Sequence, residues 1–121
     1  MKVLLINGSP RQNGNTALAL NEVAQQLATE GIDTEILWIG NKPIRGCIAC
    51  NQCATKSLGR CQFDDDICNR ISQKFADSDA LIVGSPVYYG QPNGALLSII
   101  QRAFYSNGAN TAGKPAASIA V

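Results

Sequence analysis

Apolar residues along this chain fall into two periods that take turns. Lys2 to Ile6 (KVLLI) is a continuous aliphatic run of the kind a strand buried on both faces requires. Ala17, Leu20, Val23, Ala24, Leu27 and Ala28 then recur at helical spacing. Gly31 supplies a helix stop, and Ile32 to Ile39 (IDTEILWI) reads as a second strand. Ile67, Cys68, Ile71 and Phe75 predict a second helix, with Asp64-Asp65-Asp66 placing negative charge at its start. These carboxylates could be read as a catalytic acid cluster, but helix capping is the simpler account. Asp77-Ser78-Asp79 turns the chain into a third apolar strand, Ala80 to Gly84. Leu96, Leu97, Ile100, Ala103 and Phe104 line one side of a third helix, which Asn107-Gly108 is expected to end. Ala116 to Val121 reads as a fourth strand.

Strands alternating with helices, and too apolar for a one-faced sheet, predict a three-layer α/β domain with a parallel, doubly wound sheet. In such a sheet ligands bind beyond the carboxyl ends of the strands, where the strand order reverses. With the flavodoxin-like order 2-1-3-4, that point lies between the first and third strands. Both distinctive loops of the chain, Ser9 to Thr16 and Ser85 to Gly94, leave those two strands.

The first loop, Gly8-Ser9-Pro10-Arg11-Gln12-Asn13-Gly14-Asn15-Thr16, stands between a strand and a helix. A helix start carries N–H groups without intrahelical partners and the positive end of the macrodipole, so it stabilises a phosphate. Ser9 and Thr16 add hydroxyls, Asn13 and Asn15 amides, and Arg11 a full charge. A nucleoside-triphosphate loop needs G-x-x-x-x-G-K-S/T, yet here the glycines enclose five residues and Asn15 stands in the lysine's place. A G-x-G-x-x-G dinucleotide fingerprint is also missing, since the loop holds only Gly8 and Gly14. A monophosphate fits better. The alternative is an Asn/Gly-rich turn that only caps a helix.

The second loop, Ser85-Pro86-Val87-Tyr88-Tyr89-Gly90-Gln91-Pro92-Asn93-Gly94, combines rigid prolines, glycines and adjacent aromatics. It is suited to a flat ring, although tyrosine pairs in loops are often plain surface residues. A phosphate site at one end and a ring site at the other point to FMN.

Composition narrows the picture. The chain has 121 residues, enough for one domain with a sizeable core at 45% hydrophobic content. A net charge of +1 without a basic run does not suggest a nucleic-acid or anionic-membrane partner. No apolar stretch is long enough to span a membrane, and the amino terminus runs straight into a strand, so the expected location is cytoplasmic. Histidine is absent, which excludes imidazole bases, catalytic triads and His-ligated metals. Five cysteines in a reducing compartment point to metal, cluster or redox use.

Four of them lie between Asn41 and Phe63, a stretch without sustained period and longer than an ordinary connection. Cys47, Cys50, Cys53 and Cys61 give C-x₂-C-x₂-C-x₇-C. Three close thiolates and a more distant fourth suit an iron-sulfur cluster, whereas Cys₄ zinc sites more often use two separated C-x₂-C knuckles. The competing reading is cysteines used for packing or for contacts between subunits. Cys68, on the apolar side of its helix, reads as a core residue.

GSPRQNGNT and SPVYYGQPNG together resemble the NADPH-dependent FMN reductase family, whose members adopt the flavodoxin-like fold. The likeness runs from Met1 to about Arg102. It implies that Ser9, Arg11, Asn15 and Thr16 hold the FMN phosphate and that Pro86, Val87, Tyr88, Tyr89 and Gly90 border the isoalloxazine. It implies hydride transfer from NADH or NADPH to the flavin and onward electron transfer to an acceptor the sequence does not specify. No acid or base is named as catalytic. The cysteine spacing after the second strand also resembles the iron-sulfur flavoprotein branch, which binds a 4Fe-4S cluster beside FMN. Members of the family ordinarily continue through a fifth strand and a final helix, so the chain reads as a domain, residues 1–121, lacking those elements. Relatives commonly form dimers or tetramers, and an apolar Ala116–Val121 strand with an open edge agrees with a homo-oligomer. Two rival readings are a flavodoxin-type electron carrier, against which the near-neutral charge speaks, and a cysteine-loop metal or redox-sensing module without flavin.

Overall fold

The computed structural model describes residues 1–121. The elements in chain order are β1 (Lys2–Asn7), α1 (Asn15–Thr29), β2 (Asp33–Trp38), α2 (Gln52–Thr55), α3 (Cys68–Ala76), β3 (Ala80–Ser85), α4 (Gly94–Thr111) and β4 (Ala116–Ala120). The strands form one sheet in the order β2-β1-β3-β4, parallel throughout. β1 is central, with Asn7 opposite Trp38 on one side and Gly84 on the other. This is the flavodoxin-like doubly wound arrangement the alternating pattern predicts.

The continuous apolar run of β1 divides by strand alternation between two faces. Val3 and Leu5 pack against Leu20 of α1, with Val23, Ala24 and Leu27 around them. Leu4 and Ile6 join Leu37, Ile39 and Leu81 beneath Cys68, Ile71 and Phe75 of α3 and Leu96, Ile99 and Ala103 of α4. The larger core therefore lies under α3 and α4. Glu35 of β2 links this layer to the sheet through Lys2 at 3.1 Å and Lys74 of α3 at 2.9 Å. Hydrogen bonds to Lys74 and Lys2 hold its carboxyl below the usual value. Lys114, just before β4, donates to the carbonyls of Phe75, Ala76 and Ser78 at 3.1, 2.6 and 2.6 Å, closing the carboxyl end of α3.

Two boundaries and one loop depart from the sequence pattern. α3 begins at Cys68 rather than at the aspartates, because Asp66 stays outside the helix and accepts from Cys68 N through Oδ1 at 3.0 Å. α4 runs past Asn107-Gly108 to Thr111. Asn107 breaks the helical geometry (φ −134°, ψ 28°), but its buried amide donates to Ser72 of α3 at 3.2 Å and the helix resumes beyond it. The stretch Asn41–Phe63 holds a single helical turn, α2. β4 is the edge strand, and only Ile119 in it is half-buried, on the α1 side. Facing it on the other side, an apolar groove of about 510 Å³ runs between β4, α4 and residues 85–92.

Cys68 is fully buried with its Sγ directed at Ile99 O (3.7 Å). Burial pushes its thiol from 9.0 up to about 11, with the nearby Arg102 charge acting in opposition. In the unfolded chain the thiol ionises first. The neutral native form is thus stabilising below pH 9.0, and that contribution is lost as the pH rises toward about 11. The urea midpoint of the wild-type chain is expected to fall more steeply across this window than that of Cys68→Ala. Parallel curves would show that the thiol does not set the alkaline limit.

Candidate functional site

Both distinctive loops meet at the carboxyl end of the sheet, and hydrogen bonds join them. Gly8 N donates to Gly84 O at 2.8 Å, and Asn93 Nδ2 donates to Gly8 O at 2.7 Å. The backbones approach so closely that a Cβ on Gly8 would lie 2.7 Å from Gly84 O and one on Gly84 would lie 2.9 Å from Thr16 Cγ2. Side chains at these two positions are excluded by packing.

The first loop is built on buried Asn7. Its Oδ1 accepts from Ser9 N (3.1 Å), and its Nδ2 donates to Gln12 O (3.0 Å). Ser9 Oγ accepts from Arg11 N at 3.1 Å, and the Trp38 indole donates to Ser9 O at 2.8 Å. Ser9 and Thr16 are buried in the loop, whereas Arg11 and Asn15 are exposed at its rim. α1 starts from Gly14 without a side-chain cap, and Leu18 N, bonded to Gly14 O at 3.1 Å, is the first helical donor. The N–H groups of Asn15, Thr16 and Ala17 therefore precede the helical ladder, at the positive end of a 15-residue helix. A polar floor, an uncapped helix start and two glycine-dependent approaches fit a phosphate ester.

The second loop is closed by Ser85 Oγ, which donates to Pro86 O and accepts from Asn93 N, both at 2.9 Å. Tyr88 and Gln91 exchange two backbone bonds of 2.9 Å around Tyr89 (φ 51°) and Gly90 (φ 74°). Positive φ at both central residues is the geometry of a type I′ turn. Pro86 is half-buried. Val87, Tyr88 and Tyr89 project into solvent, Tyr89 completely so. Val87 N and Ser85 O pair with Val121, which fixes the base of the loop against the end of β4.

The four loop cysteines surround one small pocket together with Phe63, Arg102 and Tyr105. All are free thiols, with Cys47 and Cys50 exposed and Cys53 and Cys61 half-buried. No three Cys, Asp or Glu side chains converge as a single-ion site. A 4Fe-4S cluster makes a different demand, one thiolate for each iron, so its four sulfurs stand apart around the cluster. Four thiols around one pocket fit that donor set. The backbone between them is bent through left-handed Ala49 (φ 57°) and Asn51 (φ 60°), and Ala49 N donates to Cys47 Sγ at 3.4 Å. Asn69 of α3 holds Cys61 from both sides, accepting from its N at 2.9 Å and donating to its O at 3.0 Å. Tyr105 Oη donates to Asn51 Oδ1. The aspartate run is divided: Asp64 accepts from Asn69, Asp65 pairs with exposed Arg45, and Asp66 forms a buried pair with Arg102 at 2.5 Å. Burial alone disfavours the Arg102 cation, but its bonds to Asp66 and Cys61 outweigh that and hold its pKa above the usual arginine value.

The sequence pattern missed Asn7, Trp38, Asn93, Asn69 and Arg102. Only Arg102 carried a signal in one dimension, as a charge three residues after Ile99 on the buried side of an apolar helix.

The family described as NADPH-dependent FMN reductase matches residues 1–121. The chain belongs to this family. An iron-sulfur flavoprotein of Methanocaldococcus jannaschii is 41% identical over 102 residues, covering 84% of this chain and 51% of that protein. An iron-sulfur flavoprotein of Archaeoglobus fulgidus is 34% identical over 122 residues, covering 100% of this chain and 54% of that protein. The chain thus spans about half the length of these relatives. Among solved structures, the flavoenzyme NAD(P)H:(acceptor) oxidoreductase FerB of Paracoccus denitrificans superposes with a TM-score of 0.64 at 25% identity, covering 98% of this chain and 59% of that one. RosB, solved with a formylated riboflavin phosphate, superposes with a TM-score of 0.76 at 16% identity, covering 99% and 51%, and shows the shared fold alone. The family's description and the names of these relatives all refer to flavin or FMN. No helix is long and apolar enough to cross a membrane.

The turn at Tyr89 carries a cost. A left-handed conformation is unfavourable by about 1–2 kcal/mol for a residue with a Cβ, whereas the extra freedom of glycine in the unfolded chain offsets about 0.4–1 kcal/mol. Tyr89→Gly is therefore expected to stabilise the flavin-free chain by about 1 kcal/mol or less in urea unfolding. A loss of stability would mean that the tyrosine ring itself contributes packing.

Proposed function

We propose that this chain is an FMN-dependent NAD(P)H oxidoreductase that passes electrons from a nicotinamide cofactor through its flavin to a separate acceptor. The observation that carries the reading is the uncapped start of α1, reached by a loop whose Gly8 is hydrogen-bonded across the strand-order reversal to Gly84 of β3 and to Asn93 of the loop that follows it. The backbone N–H groups of Asn15 and Thr16 meet the FMN phosphate together with their side-chain amide and hydroxyl, the Ser9 hydroxyl donates from the floor, and Arg11 closes over the ester from the rim. Pro86, Val87, Tyr88, Tyr89 and Gly90 border the ring, with the two-residue turn holding the tyrosines in position. When bound, FMN would supply the redox chemistry, two-electron exchange with a nicotinamide on one side and an acceptor on the other. The protein's part is to fix the phosphate, orient the ring and leave one face accessible to the donor.

Anaerobic addition of NADH or NADPH to the FMN-loaded protein is expected to bleach the oxidised flavin band. Charge-assisted hydrogen bonds to phosphate contribute about 1–3 kcal/mol each, so the Asn15→Ala/Thr16→Ala double variant should need at least several-fold more FMN to give the same bleach. Unchanged FMN affinity in that variant would remove the phosphate assignment. A flavin reduced only through a dedicated reductase would favour the electron-carrier reading.

A second redox centre is supported by the four thiols around one pocket. Here Cys47, Cys50, Cys53 and Cys61 would hold a 4Fe-4S cluster, which would add one-electron chemistry to the two-electron chemistry of the flavin. Anaerobic reconstitution is expected to load about four irons per chain, and Cys50→Ser to reduce that loading while FMN still binds. Stoichiometric zinc without iron uptake would point to a structural metal instead.

A further inference from the structure

Arg102 is the largest fully buried side chain of the protein, and every arm of its guanidinium is engaged. Nη1 donates to Asp66 Oδ2 at 2.5 Å and to Arg45 O at 3.2 Å, and Nη2 donates to Phe63 O at 2.9 Å. These bonds account for a structural clamp between α4 and the cysteine segment. The remaining arm does something different: Nε donates to Cys61 Sγ at 3.4 Å. A charged donor aimed at a thiol is a weak way to satisfy a buried guanidinium, since sulfur is a poor acceptor until it carries negative charge. Meanwhile Asn69 fixes the Cys61 backbone on both its N–H and its carbonyl, so this sulfur has little freedom to leave the donor.

We infer that Arg102 is a positioning residue that holds the Cys61 sulfur and, through its Nε–H···S bond and buried positive charge, sets the reduction potential of the iron-sulfur cluster. The inference rests on the cluster reading above. Reduction adds one electron, and so one negative charge, to the cluster and its four thiolates. A hydrogen bond donated to a ligand sulfur stabilises that extra charge. Asp66 keeps the arginine in place by pairing with a different arm, so the sulfur retains a donor of its own. Arg102 thereby raises the potential, making the cluster an easier destination for an electron leaving the reduced flavin.

The test uses protein reconstituted anaerobically with iron, sulfide and FMN, reduced stepwise with dithionite and followed by electron paramagnetic resonance. Arg102→Lys retains a cation for Asp66 but loses the Nε–H donor. The expected result is a more negative cluster midpoint with the FMN midpoint unmoved. An unchanged cluster midpoint overturns the role. Should that variant fail to fold, the wild type labelled with ¹⁵N-arginine answers the question. Pulsed resonance of the reduced cluster is expected to show a ¹⁵N coupling that survives Arg45→Lys and Arg60→Lys, the two exposed arginines nearby. Absence of that coupling, or its loss in either lysine variant, overturns the assignment to Arg102. A wild type that takes up no iron removes the cluster reading itself, and this role with it.

Discussion

The contact of Gly8 with Gly84 is the constraint on which the site depends. β1 and β3 are neighbours along their whole length, but their connections leave in opposite directions around the sheet, and a crevice opens where they part. At that point Gly8 N–H meets Gly84 O at 2.8 Å, with Leu96 and Thr16 packed against the two glycines. A Cβ on either residue would force the strands apart or push α1 and α4 outward. The loops after β1 and β3 thus take their separation from two absent side chains, and Asn93 then secures it by donating to Gly8 O while capping α4 through Ala95 N.

The buried Arg102–Asp66 pair plays the equivalent part for the cysteine segment. Desolvating two charges is unfavourable, and a buried pair is weak evidence of net stability. Its effect here is better seen in what it organises. The guanidinium collects carbonyls from Arg45 and Phe63, one on each side of the cysteine run, so residues with almost no regular structure are held to a helix. Removing one partner would leave an uncompensated interior charge, at a cost of about 3–5 kcal/mol. The exposed Arg45–Asp65 pair beside it has no such consequence, because water screens both groups.

Much of the fold could be read in one dimension because its signals are periodic. The aliphatic runs of β1 and β3 and the helical spacing of α1 report burial directly, and glycine and asparagine mark the loops. The two loops announced themselves by composition, and the spacing of the cysteines by arithmetic. The organising polar residues did not. Asn7, Asn69 and Asn93 have ordinary identities and acquire meaning only from partners brought near by folding, 85 residues away in the case of Asn93 and Gly8. Asn107 looked like a helix terminator by propensity, yet its amide bond to Ser72 lets α4 continue. The aspartates looked like one capping unit, and tertiary partners gave each a separate task. β4 was legible for another reason: its apolar run reads as a strand with an open edge, and as the edge strand it is largely exposed.

α4 ties the two halves of the site together. Its first turn is capped by Asn93, which grips the loop after β1, while Arg102 and Tyr105 on its next turns grip the cysteine segment. Asn93 and Arg102 stand nine positions apart, a rise of about 13–14 Å along the helix axis. Over that interval α4 is regular, with Leu96, Ile99 and Ala103 seated in the core. The break at Asn107 falls beyond both attachment points, so the irregularity demanded by α3 is kept out of the segment that sets the spacing. A substitution that tilts the first half of α4 would therefore displace the loop at Gly8 and the cysteine pocket together, whereas one beyond Asn107 would leave their relation intact.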